Sequence, residues 1–123
     1  MQRRPTILIV DDDKMQRVIS RGLLEALGYR VEETESGEEA LAWLGENRAD
    51  LLLLDMVMPD GIDGTETYRR AVEMRPGQRV IIVSGFTETE RYREAQALGA
   101  GSYLRKPVKL EALARAVREE LDR

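Results

Sequence analysis

Short apolar runs alternate with amphipathic stretches along this whole chain, a pattern that calls for a parallel sheet layered between helices. Ile7-Leu8-Ile9-Val10, Leu51-Leu52-Leu53-Leu54 and Val80-Ile81-Ile82-Val83 contain no polar residue, as expected for strands covered on both faces. After the first run, Met15, Val18, Ile19, Leu23 and Leu27 recur at helical spacing, and Gly28 supplies the stop. Tyr29-Arg30-Val31 begins a weaker strand, polar enough for a sheet edge. Ser36 is an N-cap signal, with Glu38 and Glu39 favourable in the first turn of a helix carrying Ala40, Leu41 and Leu44. A third helix turns Tyr68, Ala71 and Val72 inward and ends at Pro76-Gly77. The spacing predicts a fourth around Tyr92, Ala95 and Leu98, stopped by Gly99, and a last one carrying Leu110, Leu113, Val117 and Leu121. With Ser102-Tyr103-Leu104-Arg105 as the fifth strand, five β-α units follow one another. They predict an α/β fold, a parallel sheet with helices on both faces. Residues 1–5 lead in, and 1–123 read as one domain without repeat, linker or low-complexity tract.

Composition narrows the function classes. The absence of histidine excludes imidazole metal sites, histidine bases and a phosphohistidine donor role, and the absence of cysteine excludes disulfides and thiolate chemistry. A net charge of −4 with both signs interspersed offers no phosphate-backbone surface, so no nucleic-acid contact is expected. No apolar run reaches transmembrane length, and Met1-Gln2-Arg3-Arg4 leads straight into a strand rather than a signal peptide. A soluble, cytoplasmic chain is expected.

The chemistry gathers at the strand ends. The first run ends in Asp11-Asp12-Asp13, the third strand in Asp55 and the fourth in Ser84, while the fifth runs into Lys106-Pro107. In a parallel sheet all carboxyl ends lie along one edge, where ligands bind at the reversal of strand order. If the first and third strands are neighbours, three carboxylates crowd one crevice. Two unit charges about 4 Å apart repel by roughly 4 kcal/mol at an effective dielectric of 20, so the cluster needs a cation or a proton. Mg²⁺ suits carboxylates, waters and phosphate oxygens. The plainer alternative is that Asp11-Asp12-Asp13 caps the following helix. Capping accounts for Asp13 but not for Asp55 at the end of an all-leucine strand.

Asp55 is the candidate nucleophile, since a carboxylate can accept a phosphoryl group as an acyl phosphate. Catalysis of a loose phosphoryl transfer is mainly positioning and charge neutralisation. Lys106, held by the following proline in an extended or cis backbone, would supply an ammonium, and Ser84 beside Gly85 a short hydroxyl donor. Taken singly, Lys-Pro and Ser-Gly are ordinary turns, and Tyr103 is ordinary half-buried packing.

Together, Asp11-Asp12, Asp55-Met56-Val57-Met58-Pro59, Ser84-Gly85, and Tyr103 with Lys106-Pro107 resemble the receiver domain of two-component response regulators, over almost the whole chain. The resemblance implies a flavodoxin-like, doubly wound (βα)5 fold with strand order 2-1-3-4-5. It implies Asp55 as phosphoacceptor, Asp12 as a direct Mg²⁺ ligand with Asp11 partly through water, and the Val57 backbone carbonyl as a further ligand, with Mn²⁺ as a substitute ion. Ser84 and Lys106 would bind phosphoryl oxygens, and Tyr103 would be the switch aromatic that follows Ser84. The implied donor is a phosphohistidine on a histidine kinase or phosphotransfer protein. The domain would catalyse transfer onto itself, without external turnover. Readout would lie on the fourth helix, fifth strand and fifth helix, here Glu88–Leu98, Tyr103–Arg105 and Leu110–Leu121, where a partner or a second copy could bind. Thr65–Arg69, Ile81–Phe86 and Ala97–Gly101 are similar to receivers of hybrid sensor histidine kinases, so the chain is either free-standing or part of such a kinase or a larger regulator.

The chain departs from the family pattern at four places. The loop Pro59-Asp60-Gly61-Ile62-Asp63-Gly64 is one residue longer than the common Met-Pro-x-Met-Asp-Gly form, serine replaces threonine at 84, and Val108 stands where an aromatic is frequent. Val57 and Phe86 are apolar at positions that in the family influence attack of water, which implies comparatively slow autodephosphorylation. Three rival readings fit the residues less well. A haloacid-dehalogenase-type phosphohydrolase needs an Asp two residues after the nucleophile, where this chain has Val57. A nucleotide-binding module would carry a Gly-x-x-x-x-Gly-Lys-Ser/Thr or a Gly-x-Gly-x-x-Gly, and neither is present. A degenerate receiver acting only through protein contacts would not need every switch position filled.

Overall fold

The computed structural model describes residues 4–56, 58, 61–84 and 102–123. Five parallel strands form one sheet: β1 (Thr6–Val10), β2 (Arg30–Thr34), β3 (Leu51–Asp55), β4 (Val80–Ser84) and β5 (Ser102–Arg105), in the order β2-β1-β3-β4-β5. The expected 2-1-3-4-5 order is therefore observed, with the polar β2 at an edge. Helices α1 (Lys14–Ala26), α2 (Gly37–Glu46) and α3 (Gly64–Met74) follow the first three strands, and α4 (Leu110–Asp122) follows β5. The helix predicted around Tyr92, Ala95 and Leu98 lies outside the described residues. No helix among the described residues is long and apolar enough to cross a membrane.

Strand alternation divides the apolar runs between two cores. Leu8, Val10, Leu52, Leu54, Val80 and Ile82 join Ala40, Leu44, Tyr68 and Ala71 on the face covered by α2 and α3. Ile7, Ile9, Leu51, Leu53, Ile81 and Val83 join Leu24, Leu113 and Val117 on the face covered by α1 and α4. Each buried aliphatic side chain contributes about 1.5–3 kcal/mol, which is why the apolar runs of β1, β3 and β4 leave neither face polar.

Helix α1 buries only part of the stripe its periodicity suggests: Leu23 packs against the core, but the rest faces outward. Met15, Val18 and Ile19 are 66%, 54% and 45% exposed, and Leu27 is exposed too. The face turned inward carries Arg17, Ser20 and Leu24. These residues share a helical face at the same i, i+3, i+7 spacing, and the buried arginine is paid with polar partners described below. The caps follow the sequence: Asp13 accepts from the Met15 and Gln16 amides, and Ser36 from the Glu39 amide.

Candidate functional site

Register brings the acidic residues level. Val10 pairs with Leu54, so the next residues, Asp11 and Asp55, emerge side by side at the carboxyl edge. Asp55 pairs with Val83, and Ser84 with Arg105, which places Ser84 and Lys106 one step further along the same edge. Backbone bonds extend this lattice past the strands: the Met56 amide donates to the Val83 carbonyl (2.9 Å), the Lys106 amide to the Ser84 carbonyl (2.8 Å), and the Asp11 amide to the Thr34 carbonyl (3.2 Å).

One carboxylate oxygen each from Asp11, Asp12 and Asp55 lies within 4.8 Å of the others. Asp11 and Asp55 are buried, while Asp12 is exposed and marks the open side of the cleft. The Lys106 ammonium approaches Asp55 Oδ2 at 3.1 Å and Asp11 Oδ2 at 3.7 Å. One ammonium faces three carboxylates, an excess of negative charge in a partly desolvated crevice. Burial raises the Asp11 carboxyl to about 6; the Asp13 amide opposes this, the Asp55 charge adds to it, and Lys106 opposes it. Burial disfavours the charged ammonium of Lys106, but the Asp55 and Asp11 carboxylates outweigh it and hold its proton more tightly than usual. An all-oxygen set of three carboxylates, open on one side to water, fits a hard divalent cation such as Mg²⁺.

Ser84 is fully buried at the end of β4. Tyr103 is half-buried, opposite Ile82 in register and packed against the core under α2 and α3. The Lys106-Pro107 peptide bond is cis. Val57, assigned a backbone ligand role, lies outside the described residues, as do Gly85 and Phe86.

Two supports of the acceptor escaped the sequence reading. Gly64, at the start of α3, donates its amide to the Met56 carbonyl (3.2 Å), and a Cβ there would stand 2.6 Å from Met56 Cα and 2.7 Å from the Asp55 carbonyl oxygen. The glycine is required by close backbone approach, a need that only the fold reveals. In the lengthened loop, the Ile62 amide donates to Glu38 Oε2 of α2 (2.9 Å), which lowers the Glu38 pKa. Gly61 beside it has φ +83°, the left-handed region that favours glycine.

Comparison with known proteins agrees with this geometry. The family model described as the response regulator receiver domain matches residues 7–118. The sporulation initiation phosphotransferase F of Bacillus subtilis (strain 168) is 34% identical over 115 residues, covering 94% of this chain and 92% of that protein. The virulence sensor protein BvgS of Bordetella pertussis is 39% identical over 124 residues, covering 95% of this chain but 10% of that protein. Another relative, the DNA-binding transcriptional regulator NtrC of Azospirillum brasilense, is likewise matched over only 24% of its length. The crystal structure of a CheY-like response regulator receiver domain protein from Methanospirillum hungatei JF-1 superposes with a TM-score of 0.93 at 35% identity, covering 98% of this chain and 95% of that one. A parallel sheet in 2-1-3-4-5 order, an acidic cluster with its lysine at the carboxyl edge, and a family match across nearly the whole length lead to one conclusion: the chain belongs to the response regulator receiver domain family.

Proposed function

We propose that this domain is a cytoplasmic phosphoacceptor switch that takes a phosphoryl group from a phosphohistidine of a sensor kinase or phosphotransfer protein onto Asp55. The observation that carries this reading is the convergence of Asp11, Asp12, Asp55 and Lys106 within salt-bridge and metal-ligand distances. An Asp55 oxygen would attack phosphorus as the P–N bond of the donor breaks and imidazole departs with that bond's electron pair. Lys106 then has a phosphoryl oxygen to pair with, and the Ser84 hydroxyl a second one to donate to. Asp11, Asp12, Asp55 and the Val57 carbonyl would hold Mg²⁺, or Mn²⁺ in its place. When bound, the cation offsets the carboxylate charge and the charge on the equatorial phosphoryl oxygens. The reaction is on the domain itself, with no external turnover substrate. Drawing Ser84 toward the phosphoryl group would move Tyr103 and bias the face that carries β5 and α4 toward a partner or a second copy. The match to a segment of a virulence sensor protein supports a larger sensor, such as a hybrid kinase, as parent, beside a free-standing or multidomain regulator.

Incubation with acetyl phosphate and Mg²⁺, read by intact mass, tests the reading: it requires a Mg²⁺-dependent gain of one phosphoryl group. No gain from acetyl phosphate or from a phosphohistidine donor would sink it.

The titration of Asp11 makes the site pH-sensitive. Its folded pKa, about 6, lies above the ordinary 3.8, so the folded, cation-free protein binds the proton more tightly than the unfolded chain. The burial penalty on its charge is thus absent at low pH and fully felt above about 6. A cation takes the ionised form and competes with that proton. Mg²⁺ affinity is therefore expected to be about tenfold weaker at pH 5 than at pH 7, with a smaller Mg²⁺-induced rise in Tm at the lower pH. Equal shifts at both values would refute this assignment.

The exposed stripe of α1 supplies a docking face for the donor. Met15, Val18 and Ile19 point to solvent on the helix that starts beside the acidic cluster, and Gly22 continues the stripe with nothing within 4 Å of its Cβ position. Apolar residues flanking a glycine let a partner helix approach closely. Ile19→Asp is expected to slow transfer from a phosphohistidine protein about tenfold while leaving acetyl phosphate labelling unchanged. An equal loss with both donors would show that the residue supports the fold instead.

A further inference from the structure

Arg17 is a buried cation that the phosphoryl site itself does not use. It is 7% exposed, and its guanidinium donates in three directions: Nη1 to the Asp11 carbonyl oxygen at 2.7 Å, Nε to Glu33 at 3.1 Å and Nη2 to Glu35 at 3.3 Å. A guanidinium is worth burying only when its donors are satisfied, and here every nitrogen has an acceptor. Glu33 is in turn gripped by Arg21, which also donates to the Val31 carbonyl. The arginine is therefore oriented from the β2 side and aimed at the residue just past the end of β1.

The position of its target matters more than the tie between elements. The Asp11 carbonyl belongs to the Asp11–Asp12 peptide, which is planar, so fixing its oxygen fixes the plane from which Asp12 departs. The Asp11 amide is already held by the Thr34 carbonyl, and Asp11 Oδ1 accepts from the Asp13 amide at 2.9 Å. The remaining freedom between the buried Asp11 and the exposed Asp12 is the tilt of that peptide, and Arg17 removes it. Resting on the proposed function above, we propose that Arg17 is a positioning residue for the divalent cation: by holding the Asp11 carbonyl it sets the relative placement of the Asp11 and Asp12 carboxylates. A lysine could reach one of the three acceptors but not all, because its ammonium is a point donor rather than a planar fork.

The test is a Mn²⁺ titration of the whole chain followed by electron paramagnetic resonance, with thermal melts alongside. Arg17→Met should weaken Mn²⁺ binding about tenfold, the lower end of what lost support of a metal ligand costs, and Arg17→Lys should fall between it and wild type. Arg21→Met is the control, because it breaks an ion pair to the same Glu33 without touching Asp11. It should lower Tm yet leave the Mn²⁺ dissociation constant within about twofold of wild type. An unshifted Arg17→Met, or an Arg21→Met shift equal to it, overturns the inference and leaves Arg17 as a structural tie. Should Arg17→Met fail to fold, Arg17→Lys against Arg21→Met decides: a shift in the first alone upholds the inference, and equal values overturn it. Wild type that bound no Mn²⁺ would remove the proposed function and this inference together, whereas wild-type binding with an unshifted Arg17→Met removes only the inference.

Discussion

Asp55→Asn is expected to abolish phosphoryl incorporation completely: wild type with acetyl phosphate and Mg²⁺ gains about 80 Da, and the variant gains nothing. The amide keeps the shape of the carboxylate at the end of β3 but lacks the anionic oxygen that attacks phosphorus. The variant should nevertheless fold, because Asp55 ends a strand whose leucines are all buried and whose pairing with β1 and β4 is made by backbone. Its loss also removes one charge that pushes Asp11 upward, so the crevice becomes less crowded rather than more. Labelling that persisted in Asp55→Asn would move the acceptor to another residue, with Asp12, the exposed member of the cluster, next in line. Neither protein should turn over p-nitrophenyl phosphate; steady metal-dependent hydrolysis would favour a phosphohydrolase instead.

The second large effect is expected away from any charged group. Gly64→Ala should destabilise the domain by about 2–3 kcal/mol, toward the upper end of the overpacking range, because the new methyl meets backbone atoms that cannot rotate away. That corresponds to a fall in Tm of roughly 10 °C. The atoms it meets are Met56 Cα and the Asp55 carbonyl oxygen, so relief must come from shifting the end of β3 or the start of α3. The acceptor then moves relative to Lys106, and phosphoryl labelling should slow even at temperatures where the variant is folded. Gly22→Ala is the comparison, since its Cβ would meet nothing within 4 Å and alanine is the better helix former by about 1 kcal/mol. It should raise Tm. Equal melting points for the two variants would mean that the close approach at Gly64 yields without cost.

The sheet was legible because its signal is redundant. Leu51–Leu54 and Val80–Val83 are apolar on both faces, as a strand between two helical layers requires, and their alternation with helical stretches repeats that message along the chain. The site was legible for a related reason, since Asp11, Asp55, Ser84 and Lys106 are all strand-end residues and a parallel sheet puts every such end on one edge. Helix α1 was not. Its most apolar stripe, Met15, Val18 and Ile19, faces water, while Arg17 and Ser20 go inward beside Leu24. Periodicity identifies a face but not its direction, and here the inward face meets acceptors in β2 and just past the ends of β1 and β2, at Glu33, Asp11 and Glu35. The same limit hid Gly64, whose need for a missing side chain comes from a backbone eight residues earlier. Long-range partners of this kind leave no local trace.

The loop after β3 carries a wider consequence. A lengthened turn beside a reacting group would ordinarily blur that group's position, yet Ile62 is moored by its amide to Glu38 on the neighbouring helix, and Gly61 lets the chain bend toward that mooring. The added length is thereby absorbed on the α2 side, while Met56 remains bonded to both Val83 and Gly64. Length and precision become separable properties in such an arrangement. A lineage could vary the outer rim of the cleft, and with it which donors are admitted, while the acceptor beneath keeps its place.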